Sequence, residues 1–330
     1  MRIGGNASYV IDVTTPTELH QAYLQAKQSN LPTYMVGGGS NLIAHDEGFP
    51  GVIVHNMIGG ISILDEQTEY VTIKAGSGVI WDDLVKFSVL HNLTGIEAMS
   101  GIPGTVGAAP VQNIGAYGQE LGDTFLSLEA YDIEQDKFVT LEIEACKFSY
   151  RSSIFRTTHV GRYAICSVTL SLLKRAPEPP FYDSLQKRFD ELNITEYTAQ
   201  AVRDNVLGIR KSKLPDPAVL PNSGSFFKNP IVDLWKADEI RKENPDLITF
   251  PVDEHHVKIP AGWLIENAEF KGKVLSGIKV HDGNAVVLIN QSATSYAELA
   301  AAREEIVNTI RDMFQIILEQ EPLELLPPKT

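Results

Sequence analysis

The stretch Ser100-Gly101-Ile102-Pro103-Gly104-Thr105-Val106-Gly107-Ala108-Ala109-Pro110 decides the fold, because it places three glycines and two prolines among apolar residues. Three other glycine-rich blocks accompany it, at residues 36–42, 75–78 and 112–118. Glycine lets backbone N–H groups converge on an anion, since no Cβ stands in the way. One such loop is more often an ordinary turn, but several on one domain favour an extended ligand that carries a pyrophosphate. None of the blocks is the dinucleotide fingerprint, because position 42 is Leu where the third glycine would stand.

A second informative stretch is Ser223-Gly224-Ser225-Phe226-Phe227-Lys228-Asn229, which prolines bracket at 221 and 230. Gly224 lets the backbone bend, and the two aromatic residues can anchor the segment in a core. Such a segment can hold one hydroxyl rigidly at a ligand. Taken alone, the same residues would be interpreted as a turn followed by a half-buried edge strand.

Composition limits the class of protein. The chain has 330 residues, of which 43% are hydrophobic and 21% charged, so we expect two or three globular domains. The formal net charge of −14 argues against nucleic-acid partners and against binding to anionic membranes. Anionic ligands would therefore need local cations to overcome the field of the whole protein. The cations that lie in or near motifs are Arg151, Lys213, Lys228, Lys271 and Lys273.

The two cysteines, Cys146 and Cys166, have no metal-ligand spacing, and no metal site is predicted. The adjacent residues His255 and His256 point to opposite faces of an extended segment and are interpreted as part of a surface loop. No apolar segment follows Met1 as in a signal peptide, and no apolar run approaches ~18 residues. We therefore expect a cytoplasmic protein, and a monomer for want of any heptad pattern.

The hydrophobic pattern predicts an α+β protein. Thr15-Pro16-Thr17-Glu18 has the spacing of a capping box, which predicts a helix to about Ser29 between short strands. The other predicted helices span residues 81–93, 198–211, 261–266 and 295–314. The predicted strands span residues 9–13, 33–36, 51–55, 61–64, 70–75, 127–131, 138–143 and 163–173.

Four segments, in this order, resemble the UDP-N-acetylenolpyruvoylglucosamine reductase family. They are residues 101–118, 150–156, 213–217 and 224–230. Other flavoproteins of the same FAD-binding fold share the glycine-rich blocks. The block Tyr-Arg-Ser-Ser-Ile-Phe, followed by Gly-Ser-Phe-Phe-Lys-Asn-Pro, is highly specific, and the resemblance covers essentially the whole chain.

The resemblance implies three domains. Residues 1–60 would form one FAD-binding subdomain, and residues 61–214 with 315–330 a second, together making a module of the PCMH or vanillyl-alcohol-oxidase-like type. Residues 215–314 would form an α/β substrate-binding domain. The stretch around Tyr182 resembles the tyrosine-bearing substrate loop of one family subtype, although an inter-domain linker is the plainer interpretation.

The activity that the resemblance implies is that of an NADPH-dependent flavin oxidoreductase, a UDP-N-acetylmuramate dehydrogenase with non-covalent FAD. It would reduce UDP-N-acetylglucosamine enolpyruvate to UDP-N-acetylmuramate in peptidoglycan precursor synthesis, with NADPH as co-substrate. Ser225 matches the family's proton donor, and Arg151 the residue that polarises the substrate carboxylate through a forked guanidinium. Glu321 matches a second charge-stabilising residue when Leu318–Glu321 is aligned with the family's Leu-Glu-x-Glu ending, although Pro322 stands where many members have Val. Glu319 and Glu324 are interpreted as solvated carboxylates.

The resemblance also implies binding residues. For FAD they are Gly37, Gly38, Gly39, Ser40, Asn41, Gly101, Pro103, Gly104, Gly107, Asn113, Gly115, Tyr117 and Gly118. For the substrate they are Tyr182 and Lys213 at the diphosphate, with Lys228, Asn229 and Asn284; Asn284 stands where some members have Gln.

Two other functions remain compatible with parts of the sequence. An FAD oxidase on the same fold would use the glycine blocks, but it would leave Arg151 and the 223–230 stretch without a purpose. A nucleotide-sensing or inactive flavin-binding module should have lost the set of Ser225, Arg151 and Glu321, and this chain retains all three.

Overall fold

The computed structural model describes residues 1–326 of the chain. Its α-helices are α1 (Pro16–Gln28), α2 (Trp81–Leu90), α3 (Ile143–Cys146), α4 (Asp183–Glu191), α5 (Ala199–Lys213), α6 (Leu234–Glu243), α7 (Ala261–Asn267) and α8 (Tyr296–Phe314). Its strands are β1 (Ala7–Val13), β2 (Thr33–Val36), β3 (Leu42–Ala44), β4 (Phe49–Asn56), β5 (Ile61–Glu66), β6 (Tyr70–Gly76), β7 (Gly115–Ala116), β8 (Gln119–Glu120), β9 (Phe125–Asp132), β10 (Lys137–Glu142), β11 (Tyr163–Leu173), β12 (Asn222–Ser225), β13 (Ile231–Asp233), β14 (Phe250–Pro251), β15 (His256–Lys258), β16 (Val274–Leu275), β17 (Ile278–Val280), β18 (Val287–Asn290) and β19 (Leu323–Leu325). Three 3₁₀ turns, at Glu97–Met99, Val106–Gln112 and Leu121–Asp123, lie among the glycine-rich blocks.

The described residues form two compact units, and the first comprises residues 7–39 and 50–212. Its main sheet has the strand order β10-β9-β11-β6-β5, with antiparallel neighbours throughout. A smaller sheet has the order β1-β4-β2. The apolar faces of α2 and of the main sheet share one core, in which Trp81, Leu84 and Leu128 are fully buried. This core fixes the ends of the glycine-rich loops that leave it.

The second unit comprises residues 1–6, 40–49 and the described residues from Lys213 onward. Its sheets have the orders β12-β18-β17-β16 and β13-β15-β14, and β19 pairs in parallel with β3. Helix α8 lays Ile306 and Ile310 into a core that also contains Phe226 and Phe227. The 223–229 stretch is therefore anchored in this core by its own two phenyl rings, as its sequence predicts.

Several predicted elements are confirmed with their physical causes. Thr15 caps α1 by accepting a hydrogen bond from the Glu18 N–H, with Pro16 at the start of the helix. Helix α5 and strand β11 lie at the predicted positions, and α2 ends at Leu90 rather than at residue 93. Helix α4 was not predicted, because the stretch around Tyr182, directly before it, was interpreted as a substrate loop or an inter-domain linker.

The fold is α+β, as predicted. The predicted boundaries after residues 60 and 214 stay predictions, as does the assignment of residues 315–330 to the second subdomain. No helix within residues 1–326 is both long and apolar enough to cross a membrane.

Candidate active site

In the first unit, the glycine-rich blocks lie against one another. A Cβ at Gly37 would clash with the Oγ1 of Thr105, and a Cβ at Gly38 would stand 3.4 Å from the Cα of Gly104. A Cβ at Gly107 would lie 2.5 Å from that of Ser77. The glycines thus let the three blocks pack closely, with the side chains of Thr105 and Ser77 against two of them. Closely packed glycine-rich loops of this kind can present backbone N–H groups to an anion.

The side chain of Asn113, which the resemblance implies for FAD binding, makes hydrogen bonds to two neighbouring loops. It is fully buried in the left-handed conformation, with φ of 45°. Its amide donates to the Ser149 carbonyl at 3.3 Å and accepts from the Gly122 N–H at 2.9 Å. Both ends of this side chain therefore hold neighbouring loops.

Arg151 stands at the tip of a tight turn. Ser149 and Ser152 exchange backbone hydrogen bonds of 3.1 and 3.0 Å, and Arg151 has a φ of 51°, which few residues other than glycine adopt. Its guanidinium donates to the Gly115 carbonyl at 2.7 Å. Strained backbone of this kind is concentrated at functional sites, and here it ties a cation to a glycine-rich block.

Sequence reasoning missed a pair of residues that holds the central glycine loop. Asp82, in the first turn of α2, accepts a 2.6 Å hydrogen bond from the Gly101 N–H. Arg203, on α5, donates to both Asp82 oxygens at 2.7 Å and to the Ser100 hydroxyl at 3.0 Å. The hydrogen bond from Arg203 is the main reason that the pKa of Asp82 lies below its usual value. No local spacing could reveal this pair, because 121 positions separate its members.

Arg210 is a second missed residue. A Cβ at Gly101 would lie 3.2 Å from its Nε, and within residues 1–326 its guanidinium has neither a hydrogen-bond nor an ion-pair partner. Burial lowers the pKa of Arg210 and raises that of the nearby Tyr117. The ring of Tyr117 meets that of Tyr182 edge to face at 5.9 Å. The half-buried guanidinium of Arg210, beside the phenol of Tyr117, can therefore bind an anion.

In the second unit, the structure fixes Ser225 firmly. Ser225 pairs with Val287 in the sheet, and the next residue, Phe226, donates its N–H to the Val286 carbonyl at 2.8 Å. Gly224 has a φ of 75°, so the chain bends directly before the hydroxyl. Phe226 and Phe227 are completely buried. The Ser225 hydroxyl therefore stands on a rigid segment and remains half-exposed.

The C-terminal segment runs antiparallel beside this stretch. The Glu321 N–H donates to the Phe226 carbonyl at 2.9 Å, and the Lys228 N–H donates to the Glu319 carbonyl at 2.9 Å. Glu321 is consequently paired with Phe226, the residue that follows Ser225. The segments that carry these two candidate catalytic residues therefore lie side by side.

The two neighbouring glutamates, Glu319 and Glu324, differ in how far their side chains are exposed to solvent. The Glu319 side chain is 73% exposed and pairs with Lys228 at 3.0 Å, which agrees with a solvated carboxylate. The prediction for Glu324 was wrong, since its side chain is only 21% exposed and accepts hydrogen bonds from His45, Tyr296, Arg303 and Gln320. Four side chains thus contact the Glu324 carboxylate, whereas the Glu321 backbone pairs with Phe226, directly after the serine.

The remaining predicted substrate residues lie in different surroundings. The carbonyl oxygen of the Asn229 side chain accepts from the Ala261 N–H at 2.9 Å, so it helps to start α7. Asn284 is half-buried, and its N–H donates to His281 Nδ1 at 3.1 Å in a turn. Lys213 is exposed at the end of α5, and Tyr182 is 41% exposed directly before α4.

Two protein-family models match the chain. Residues 7–142 match an FAD binding domain, and residues 216–324 match the C-terminal domain of UDP-N-acetylenolpyruvoylglucosamine reductase. Curated proteins of that name are similar over almost the whole chain. The one from Burkholderia cenocepacia is 36% identical, covering 97% of this chain and 92% of its own. The one from Neisseria gonorrhoeae is 41% identical, covering 87% and 83%.

A solved structure has the same fold. The crystal structure of UDP-N-acetylenolpyruvylglucosamine reductase from Thermus caldophilus superimposes with a TM-score of 0.63. It covers 96% of this chain and 91% of its own, at 21% sequence identity. The fold implied by the motifs is therefore confirmed.

Proposed function

This chain belongs to the UDP-N-acetylenolpyruvoylglucosamine reductase family, and we infer that it reduces UDP-N-acetylglucosamine enolpyruvate to UDP-N-acetylmuramate with electrons from NADPH. The product is a precursor of peptidoglycan, so the enzyme serves cell-wall synthesis. The observation that supports this function best is the pairing of the Glu321 backbone with Phe226, directly after Ser225, in a chain that matches the family over nearly its full length.

FAD fits the first unit. There the glycine-rich blocks lie against one another with no room for a Cβ at Gly37 or Gly107, and residues 7–142 match an FAD binding domain. When bound, FAD would accept a hydride from NADPH and deliver it to the substrate. The residues proposed to hold it include Gly37, Gly38 and Gly39 on the first block and Gly101, Gly104 and Gly107 on the central one. No residue is proposed to attach it covalently.

Ser225 is proposed to donate a proton to the α-carbon of the enolpyruvyl group. A hydroxyl is a weak acid, so its contribution depends on position. The strand pairing and the buried Phe226 and Phe227 support such a fixed position. General acid catalysis typically contributes about 10²–10⁴-fold in rate.

Glu321 and Arg151 are proposed to stabilise the charge that develops on the substrate as it becomes enolate-like. Arg151 would bind the substrate carboxylate, because a guanidinium remains protonated and can donate two parallel hydrogen bonds. Glu321 would act through a protonated or hydrogen-bonded carboxyl group. Groups fixed in advance at a site of developing charge need little reorganisation during the reaction.

Substrate binding is proposed for five residues. Tyr182 and Lys213 would contact the diphosphate, together with Lys228, while Asn229 and Asn284 would contact the remainder of the substrate. The amide nitrogen of Asn229 is the group proposed for the ligand, since the oxygen of this side chain serves α7. Arg210 is added to the diphosphate group because it is half-buried and unpaired within residues 1–326.

We also propose a cytoplasmic monomer that binds neither nucleic acid nor membrane. The net charge of −14 supports the last two points, because both surfaces are anionic. Size-exclusion chromatography with light scattering tests the oligomeric state.

The decisive experiment uses purified protein and three measurements. The visible spectrum should show oxidised flavin, which acid precipitation should release entirely into the supernatant. Sustained NADPH consumption should require the enolpyruvyl sugar nucleotide. Rapid consumption with oxygen as sole acceptor would instead favour an oxidase, and flavin that NADPH does not reduce would favour a binding module.

A further inference from the structure

Arg303, on α8, contacts the residues on both sides of Glu321. Its NH1 group donates to the Gln320 amide oxygen at 2.9 Å and to the Glu324 carboxylate at 2.6 Å. The Arg303 side chain is only 22% exposed, so these bonds are largely shielded from water. One guanidinium thus connects the residue before the candidate catalytic carboxylate with the residue three positions after it.

Glu324 is itself fixed from several directions. The hydroxyl of Tyr296 donates to its carboxylate at 2.9 Å, and His45 Nε2 lies 3.0 Å from it. The His45 ring stacks on that of Tyr296 with centroids 3.7 Å apart. Burial opposes ionisation of Glu324, but the hydrogen bonds from His45, Tyr296 and Arg303 outweigh it and lower its pKa. The partner that Arg303 binds is therefore a rigid anion.

Other hydrogen bonds also hold the span around Glu321: the Gln320 amide nitrogen donates to the Pro322 carbonyl at 2.9 Å and to the Glu324 carboxylate at 3.3 Å. The Glu321 N–H bonds to Phe226, and pairing with β3 resumes at Leu323, whose N–H donates to the Asn41 carbonyl at 2.9 Å. Pro322 lies between them and has no N–H to donate. The side chain of Glu321 thus projects from a short span whose two ends are connected by Arg303.

We propose that Arg303 is a positioning residue that holds the Glu321 carboxyl group in its working place beside Ser225. This inference rests on the proposed role of Glu321. Arg303 does not itself touch the substrate; it acts by reinforcing, through two shorter hydrogen bonds, the direct 3.3 Å contact between Gln320 and Glu324. A loss of this constraint lets the carboxyl group move, and a misplacement of about 1 Å can reduce a rate on the order of 10²-fold.

The test replaces Arg303 by Met, which has a similar stem and no charge, and measures the two half-reactions separately. Flavin reduction by NADPH should be unchanged, whereas reoxidation by the enolpyruvyl sugar nucleotide should slow by about 10- to 100-fold. Arg311→Met is the matched control, because Arg311 lies on the same helix but is half-exposed, and among residues 1–326 its side chain pairs only with its neighbour Asp312. It should leave both half-reactions unchanged.

A double-mutant cycle separates positioning from general destabilisation. If Arg303 acts through Glu321, then Arg303→Met should slow reoxidation by less than about twofold once Glu321 is already Ala. Multiplicative losses, or equal losses in both half-reactions, would overturn the inference while leaving the role of Glu321 intact. A silent Glu321→Ala would instead overturn the proposed role of Glu321, and the positioning inference with it.

Two further measurements guard against a variant that simply fails to fold. Thermal unfolding and bound-flavin content are compared for each protein. Arg303→Lys keeps the charge on a shorter side chain, which can reach Glu324 but not Gln320 as well. It should retain flavin and give an intermediate reoxidation rate; a rate equal to the wild type would show that the two-sided contact is not needed and would refute the inference.

Discussion

Replacing Asp82 by Ala should both destabilise the protein and weaken flavin binding. The change removes the acceptor of the Gly101 N–H and both carboxylate oxygens that the Arg203 guanidinium binds, which leaves Arg203 its bond to Ser100. The Arg203 side chain is 10% exposed, so a largely buried charge would be left without an ion-pair partner within residues 1–326. Such losses cost about 3–5 kcal/mol. Because the Asp82 side chain is 32% exposed and water can enter, we expect about 3 kcal/mol of the free energy of unfolding.

The cofactor effect follows from the same contacts. Without its acceptor the Gly101 N–H is free to turn, and the central glycine loop loses a bond of about 1 kcal/mol or more. If flavin binding has to restore the loop, the FAD dissociation constant should rise at least about fivefold. Urea unfolding of the apoprotein measures the first quantity, and flavin fluorescence titration the second.

Asp83→Ala is the matched control, since Asp83 is the exposed neighbour on the same turn and its side chain makes no hydrogen bond or ion pair within residues 1–326. Asp82→Asn keeps an acceptor for Gly101 but removes the ion pair, so it should restore flavin affinity more than stability.

The folded-state pKa of Asp82 is depressed, so its stabilising effect exists above the unfolded pKa of about 3.9 and disappears as pH falls through the folded value. The stability difference between the wild type and Asp82→Ala should therefore shrink below about pH 4. A loss below about 1 kcal/mol at pH 7, or unchanged flavin affinity, would refute the reasoning.

Three other changes test separate parts of the site. Ser225→Ala should spare flavin reduction by NADPH and slow reoxidation by substrate by ~10² or more, because only the second half-reaction needs the proton; equal losses would make Ser225 structural. Arg151→Ala should raise KM and lower kcat, and Arg151→Lys should recover little because it loses the fork; recovery to near wild-type kcat would show that charge alone suffices. Gly107→Ala places a Cβ 2.5 Å from that of Ser77 and should cost about 1–3 kcal/mol in urea unfolding. Its control, Gly208→Ala in α5, meets no atom within 4 Å and should be neutral or slightly stabilising.

Local signals in the sequence predicted the elements that local physics determines. The Thr15 cap and Pro16 start α1 because both satisfy or avoid the unpaired N–H groups of the first turn. Ser295 and Glu298 form a reciprocal capping box at α8, and the helix ends at Phe314 as predicted. Phe226 and Phe227 anchor the segment that carries Ser225, because burying two large apolar rings removes much apolar surface from water and so stabilises the fold.

Contacts between distant parts of the chain could not be predicted in this way. Asp82 looked like an ordinary acidic residue in a first helical turn, and only its distance to Arg203 reveals its role. Arg303 and Glu324 lie 21 positions apart on a helix and a strand, so no helical or strand spacing relates them. For the same reason no local sequence pattern distinguishes the solvated Glu319 from the largely buried Glu324.

The charges within each unit decide which cations are available to anionic ligands. The sequence singled out lysines because they lie in motifs, yet Lys271 pairs with Glu266 at 2.6 Å and Lys228 with Glu319 at 3.0 Å. Arg203 and Arg303 are likewise neutralised, by Asp82 and Glu324. Arg210 differs, because within residues 1–326 no carboxylate contacts it and burial already disfavours its charge. In a protein of net charge −14, an anion bound there would relieve that cost, so Arg210 should contribute more to ligand affinity than either paired lysine.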